Sequence, residues 1–127
     1  MSQTWADPAA VAAHYTRRLG LETDCADVAD ALDRGGAGFV LLDVRTAESF
    51  KNGHIPGAVH LRHSDMTVER MAAFPEVTKF VVYCWGPHCN GASKGAANLG
   101  TLGYQAKEML GGIWGWGMEG NGLDVGT

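Results

Sequence analysis

The stretch Lys79-Phe-Val-Val-Tyr-Cys-Trp-Gly-Pro-His-Cys-Asn-Gly-Ala-Ser-Lys94 predicts a strand, a loop and the start of a helix. Phe80 to Tyr83 is a continuous β-branched and aromatic run, which is typical of a strand buried on both faces. The loop after Cys84 contains glycine, proline and asparagine, which favour turns, and apolar residues return at helical spacing from Ala92 to Leu102. The sequence therefore places the Cys84 thiol between the carboxyl end of a strand and the amino end of a helix.

This position suits a reactive sulfur. Ligands of open α/β sheets bind at the carboxyl edge, where the free N–H groups and the positive end of a helix favour an anion. A glycine-rich loop there can turn its amides inward as an anion-binding nest, and the thiol of Cys84 is then expected to have a depressed pKa, in the range of ~3.5 to 7.5. The alternative is a structural role, because free cysteine is among the most buried residue types.

Length and composition indicate one domain. A chain of 127 residues that is 46% apolar is long enough to bury about two thirds of its unfolded surface. Residues 1–127 are interpreted as a single domain, with an N-terminal helical extension at 1–20 and a core at 21–125. The three cysteines cannot all pair within one chain, and in a reducing compartment catalysis, redox chemistry or metal binding is favoured over a structural disulfide.

Charge and hydropathy argue against two classes of partner. The net charge is −4 and the basic residues form no stripe, so no binding of nucleic acid is expected. No apolar segment approaches the ~20 residues of a membrane span, and residues 1–10 lack the order of a signal peptide. The sequence thus predicts a soluble cytoplasmic protein.

Hydrophobic periodicity predicts alternating strands and helices. Strands are predicted at residues 39–43, 58–61, 80–83 and 106–110, and helices within 8–20, 24–35, 46–53, 64–74 and 92–102. Residues 21–23 are interpreted as an extended link, and residues 111–116 as a last turn or short helix that buries two indoles. The first helix is expected to pack through Val11, Ala12, Tyr15 and Leu19, and Cys25 is expected in the core. Such alternation indicates a mainly parallel sheet with helices on both faces.

Other residues near Cys84 have open roles. Cys89 could resolve an oxidised Cys84, accept a transferred atom, or be a small loop residue. His88 could bond to a substrate anion or to the thiolate, or be solvated. No zinc site is expected, because no paired Cys-x-x-Cys spacing organises these residues with His60 and His63.

Asp43 and Arg45 follow a buried strand end, where an unpaired charge would be costly, so a structural pair is the first hypothesis. His54 precedes Ile-Pro-Gly and is interpreted as a turn residue that bonds to backbone.

Four motifs occur in order along the chain: Leu41-Leu-Asp-Val-Arg45 with Glu48-Ser-Phe50, Gly53-His-Ile-Pro-Gly-Ala58, Val82-Tyr-Cys84, and Gly111-Gly-Ile-x-x-Trp116-x-x-x-Gly120. Together they resemble a single-domain rhodanese of the thiosulfate sulfurtransferase type. The resemblance implies a three-layer α/β fold with a mainly parallel five-stranded sheet. It further implies that Cys84 is the nucleophile. The implied sulfur cradle consists of Trp85, Gly86, Pro87, His88, Cys89, Asn90 and Gly91, and the implied scaffold residues are Asp43, Arg45, His54 and Trp116.

The resemblance also implies an activity: a sulfane sulfur moves from thiosulfate or a persulfide donor, through a Cys84 persulfide, to a thiol or cyanide. No cofactor is implied. The implied partners are a small anionic sulfur donor, a thiol acceptor and a partner protein. Counted back from Gly103-Tyr104, the loop is two residues longer than is usual in the family, and it lacks the arginine that many relatives carry.

Two other function classes are considered. A phosphatase or arsenate reductase of related fold would need a Cys-x5-Arg signature, but the sixth residue after Cys84 is Asn90. A non-enzymatic persulfide carrier or regulatory module would need the same cysteine without efficient turnover, and the sequence leaves that alternative open.

Overall fold

The computed structural model describes residues 4–35 and 38–127. The helices are α1 (Pro8–Leu21), α2 (Cys25–Asp33), α3 (Ala47–Asn52), α4 (Val68–Met71), α5 (Gly91–Thr101) and α6 (Gly112–Met118). The strands are β1 (Glu22–Asp24), β2 (Val40–Asp43), β3 (Val59–His60), β4 (Lys79–Tyr83) and β5 (Gln105–Leu110). The predicted stop of the second helix at Gly35-Gly36 lies partly outside the described residues.

The five strands form one sheet in the order β1-β5-β4-β2-β3, and every neighbouring pair is parallel. The predicted α/β class and the five-stranded parallel sheet are therefore confirmed. Strand β4 lies in the centre, and its last residue Tyr83 is in register with Asp43 at the end of β2. The ends of the two buried strands thus meet at the same edge.

The central strand is buried on both faces, as its sequence predicts. Phe80, Val82 and Cys84 belong to one apolar cluster, which includes Leu99 of α5. The residues between them belong to a second cluster on the opposite face, together with residues of α2 and α6. Because side chains of a strand alternate between faces, Cys84 projects toward α5.

Two sequence-based assignments are wrong. Residues 22–24 are not only a link: they form β1, the edge strand that pairs with β5. A three-residue Glu-Thr-Asp strand has no hydrophobic alternation to reveal it, and its backbone pairing depends on the neighbouring strand. The helix predicted within 64–74 is divided into a 3₁₀ turn at His63–Asp65 and the short α4, because the Thr67 hydroxyl caps a new helix by accepting from Arg70 N at 3.1 Å.

Helix α1 forms as predicted but does not pack as predicted. Asp7 caps it by accepting from Ala10 N at 3.0 Å, and Pro8 occupies the first turn. None of its residues is buried, and the side chains of Tyr15 and Leu19 are exposed. The periodicity of a helix identifies an apolar face, but it does not show whether another element covers that face.

No helix within the described ranges is both long enough and apolar enough to span a bilayer.

We expect two leucine truncations to differ sharply in their effect. Leu42 of β2 has no exposed surface, so Leu42→Ala should lower the free energy of unfolding by about 2–5 kcal/mol through lost contacts and a cavity. Leu19 is 70% exposed, so Leu19→Ala should change the free energy of unfolding by no more than about 0.5 kcal/mol. Urea unfolding monitored by circular dichroism measures both. A cost of several kcal/mol for Leu19→Ala would contradict the exposed position of α1.

Candidate active site

Cys84 directly follows the last residue of β4 and lies seven residues before the first residue of α5. The site around it is bounded by the starts of α5 and α6. Strand β4 ends at Tyr83, and α5 begins at Gly91. The Cys84 residue is 6% exposed and packs against Ala92 in the first turn of α5. The intervening residues 85–90, here called the cysteine loop, connect the strand to the positive end of the helix dipole.

The start of α6 holds the cysteine loop in place. Ile113 N donates to Cys84 O at 3.0 Å, and Trp114 N donates to Trp85 O at 2.8 Å. Gly112 adopts φ +58°, and a Cβ at this position would lie 2.6 Å from Cys84 O. Only glycine permits this approach, so the Gly-Gly pair at the start of α6 is a structural part of the site. The sequence indicated a turn here but gave no sign of these two hydrogen bonds.

A second glycine provides space for sulfur. A Cβ on Gly91 would lie 2.8 Å from Cys84 Sγ and 3.5 Å from Cys89 Sγ. No real side-chain carbon approaches a sulfur that closely without displacement, so the first residue of α5 cannot carry a side chain while both sulfurs keep these positions.

Cys84 and Cys89 are joined as a disulfide, with their Cα atoms 6.5 Å apart. Disulfides span Cα separations of 4.4–6.8 Å, so the loop backbone brings the two residues within bonding range. Cys89 N also donates to Gly86 O at 3.0 Å, which tightens the loop into a turn. The structure therefore brings together the two cysteines whose relation the sequence left open.

The third cysteine is kept apart from this pair. Cys25 is buried, and its Sγ lies 3.5 Å from both Leu110 O and Gly112 O. Burial raises the pKa of the Cys25 thiol to about 11, with the negative charges of Glu119 and Asp24 acting in the same direction. A protonated and inaccessible thiol is a poor nucleophile, so Cys25 belongs to the core, as expected.

A cavity of about 810 Å³ opens above the sulfur pair. One wall is formed by Cys84 and the cysteine loop, and the other by Ser93 and the segment 108–112. Among the described residues that line it, the side chains able to carry a charge are His88 and Glu108. Ser93 is hydrogen-bonded to the Glu108 carboxylate. Sequence reasoning missed Glu108, because its position in β5 next to the loop depends on the strand order of the sheet.

A buried network lies beneath the loop. The Asp43 carboxylate has no exposed surface and accepts from Arg45 Nη2 at 2.7 Å, from Arg45 Nε at 3.0 Å and from the Arg45 amide at 3.0 Å. Tyr83 Oη donates to Asp43 Oδ2 at 2.7 Å and accepts from Ile55 N at 3.1 Å. Burial, with the Asp43 charge beside it, raises the pKa of Tyr83 far above its usual range, so the phenol remains a donor.

Arg45 connects this network to the cysteine loop. Its guanidinium carbon lies 4.4 Å from the centre of the Trp85 ring, and Nη2 donates to Gly53 O at 2.7 Å. Cation–π contact of this kind orients an indole without a hydrogen bond. Arg45 therefore fixes the residue that directly follows Cys84, while its own charge is neutralised by Asp43.

His54 and Trp116 lie outside the cavity. His54 stacks on Phe50 with ring centres 3.7 Å apart, and its Nδ1 is 2.8 Å from Phe50 O. Trp116 is buried, and its Nε1 donates to Gly122 O at 2.9 Å. Both side chains contact structural groups rather than the sulfur pair.

The expectation that both indoles of the last helix are buried is wrong for one of them. Trp114 is 57% exposed and Trp116 is buried, because residues two positions apart on a helix face nearly opposite sides. The Trp114 Cβ lies beside the cysteine loop, 3.2 Å from the place a Cβ would take on Gly86.

One of the histidines considered as metal ligands has a backbone partner instead: His60 Nε2 lies 2.7 Å from Arg45 O. Residues 4–35 and 38–127 contain no group of three or more side chains arranged to hold a metal ion.

The buried network predicts a cost for losing one hydroxyl. Tyr83→Phe leaves the buried Ile55 N without a partner and removes one of the hydrogen bonds to Asp43 Oδ2, which keeps its bonds to Arg45, so the free energy of unfolding should fall by about 1–3 kcal/mol. Tyr15→Phe is the matched control, because Tyr15 is an exposed residue of α1, and its effect should stay within about 0.5 kcal/mol. Chemical denaturation of both variants measures the difference, and equal effects would contradict a stabilising role for the Tyr83 hydroxyl.

Comparison with known proteins agrees with this geometry. The rhodanese-like domain model matches residues 24–119. The HTH-type transcriptional regulator Rv0324 of Mycobacterium tuberculosis is 33% identical over 110 residues, which cover 86% of this chain and 48% of the regulator. This chain thus spans about half the length of that curated relative.

Solved structures show the same fold. The BH2092 protein of Bacillus halodurans has a TM-score of 0.90 at 35% identity, covering 94% of this chain and 87% of that one. The thiosulfate sulfurtransferase of Pseudomonas aeruginosa has a TM-score of 0.72 at 19% identity, covering 88% of this chain and 21% of that one, which is a likeness of fold. From the family match and the shared architecture, we conclude that this chain belongs to the rhodanese-like domain family.

Proposed function

We propose that this protein is a sulfurtransferase in which Cys84 carries a sulfane sulfur as a persulfide. The observation that carries the proposal is the place of the Cys84 sulfur: at the base of an open cavity, at the amino end of α5, beside a loop of turn-forming residues. The family is generally one of sulfurtransferases, and this geometry is suited to an anionic sulfur.

In the first half-reaction, the Cys84 thiolate attacks the outer sulfur of the donor. A new sulfur–sulfur bond forms on Cys84 Sγ, the bond within the donor breaks, and sulfite or a thiolate leaves with the bonding electrons. The amides of the cysteine loop and the dipole of α5 stabilise the negative charge in the transition state and on the persulfide.

In the second half-reaction, a thiol or cyanide attacks the outer sulfur of the persulfide and the Cys84 thiolate leaves. Both steps require a free Cys84, so the bond to Cys89 must first be reduced. We therefore propose that the protein works in a reducing compartment such as the cytoplasm.

The charge of the cavity bears on the donor. Thiosulfate is a dianion, and the cavity offers it the Glu108 carboxylate and the exposed imidazole of His88, but no lysine or arginine among the described lining residues. This favours a persulfide donor, on a small thiol or a partner protein, over thiosulfate. The same lack of a guanidinium argues against phosphoryl transfer, which depends on a bidentate cationic grip.

A non-enzymatic persulfide carrier would use the same cysteine. The rate of sulfur transfer to small acceptors distinguishes a carrier from a sulfurtransferase. A carrier takes up sulfur from a persulfide donor but transfers it to cyanide or small thiols much more slowly than a sulfurtransferase does.

The position of Cys84 predicts which thiol takes up sulfur. Reduced Cys89→Ser protein treated briefly with thiosulfate or glutathione persulfide should gain one sulfur atom by intact mass, and reductant should remove it. The double variant Cys84→Ser/Cys89→Ser should gain none. The double variant Cys25→Ala/Cys89→Ser is the matched control, since Cys25 is buried away from the cavity, and it should gain the same sulfur atom. Failure of Cys89→Ser to gain sulfur from either donor would refute the proposed function.

The Glu108 carboxylate in the cavity is expected to weaken the binding of thiosulfate by charge repulsion. Glu108→Gln keeps a hydrogen-bonding partner for Ser93 but removes the charge, so the KM for thiosulfate should fall roughly two- to fivefold. The difference should shrink as salt is added, because screening weakens repulsion. Glu76→Gln, an exposed substitution outside this cavity, is the control. Steady-state assays with varied thiosulfate measure the effect, and an unchanged KM would show that Glu108 does not repel the donor.

A further inference from the structure

We infer that Cys89 resolves the Cys84 persulfide within the chain, so that the protein releases sulfide at the expense of a dithiol. The inference rests on the proposed persulfide chemistry of Cys84 and gives it a second product and a second substrate class. It follows from the pairing of Cys84 with Cys89 inside the cavity.

The loop is shaped to bring the two sulfurs together. The residues are five positions apart, yet the turn closed by Cys89 N and Gly86 O brings their Cα atoms within 6.5 Å. Gly91, without a side chain, leaves space next to both sulfurs. The Cys89 sulfur can therefore reach the inner sulfur of the persulfide, Cys84 Sγ, without a change in the fold.

Cys89 is also placed to be a nucleophile. It is half-buried, lines the cavity and precedes the first turn of α5 by two residues. The positive end of a helix favours a thiolate, in contrast to the buried Cys25, whose pKa is raised. An intramolecular thiol also has a high effective concentration relative to an external acceptor.

The chemistry balances in three steps. The donor gives Cys84 one sulfur, and sulfite leaves when the donor is thiosulfate. Cys89 then gives its proton to the anionic outer sulfur, and the Cys89 thiolate attacks Cys84 Sγ. The bond to the outer sulfur breaks, and hydrosulfide leaves with the electron pair as the disulfide forms. A dithiol reduces that disulfide by exchange and becomes a cyclic disulfide. In sum, thiosulfate and one dithiol give sulfite, hydrosulfide, one proton and one cyclic disulfide.

The disulfide is open to such a reductant. Both of its cysteines line the cavity, and Cys89 is half-buried rather than buried. Thiol exchange requires access to one sulfur, and access to Cys89 would leave Cys84 as the departing thiolate, stabilised by the loop and by α5. A dithiol is therefore expected to regenerate Cys84 in its reactive form.

The test follows sulfide and protein mass in the reduced full chain after one addition of thiosulfate or glutathione persulfide. Wild type should release about one equivalent of sulfide and end as the Cys84–Cys89 disulfide, lighter by two hydrogens. Excess dithiothreitol should make the release catalytic. In Cys89→Ser the persulfide should accumulate on Cys84, and single-turnover sulfide release should slow by roughly tenfold or more, as expected when an intramolecular step is lost.

Two further variants keep the outcome decisive. Cys89→Ala guards against an effect of the serine hydroxyl, and Cys25→Ala, which removes the thiol outside the cavity, should behave as wild type. If wild type gains sulfur and holds it as a stable persulfide, the inference fails while the proposed function stands. If neither wild type nor Cys89→Ser gains sulfur from either donor, the proposed function fails first.

Discussion

The buried carboxylate of Asp43 is the interaction on which the edge of the sheet depends. A buried negative charge requires a positive charge in contact with it, and the guanidinium of Arg45, two residues along the chain, supplies that positive charge. The same carboxylate orders Tyr83 at the end of β4, and Tyr83 in turn accepts from Ile55 N. Arg45 then reaches Gly53 and the Trp85 ring. One ion pair thus joins the ends of β2 and β4, the turn before β3 and the cysteine loop.

The cysteine loop itself is held mostly by backbone. The first amides of α6 donate to the carbonyls of Cys84 and Trp85, and Gly112 and Gly91 permit approaches that a side chain would block. Strand β4, helix α5 and helix α6 each contribute one side of the site. Backbone groups do not titrate and do not change rotamer, so the environment of the sulfur is set by the fold rather than by mobile cations.

Much of this arrangement could be predicted from the sequence, because the decisive signals are local. The apolar run 80–83, the loop residues after Cys84 and the helix from Ala92 each obey short-range rules, and Asp43 and Arg45 are adjacent to a buried strand. Glu108 could not be predicted as a lining residue, since it enters the cavity through the pairing of β5 with β4. The exposure of α1 and the strand nature of β1 also depend on long-range contacts, which periodicity does not encode.

Trp85 gives the protein an internal optical probe. It follows Cys84 directly in the chain, is 46% exposed and lies over the Arg45 guanidinium. A disulfide near an indole quenches its emission by accepting an electron from the excited ring, and reduction of the disulfide removes that acceptor. Trp114, whose amide donates to Trp85 O, also lies against the cysteine loop. Trp116, buried and hydrogen-bonded to Gly122, and Trp5, on the N-terminal segment, contribute a steady background. We therefore expect reduction of the sulfur pair to raise the intrinsic fluorescence of the unlabelled protein, which would let the state of the pair be followed without an added reagent.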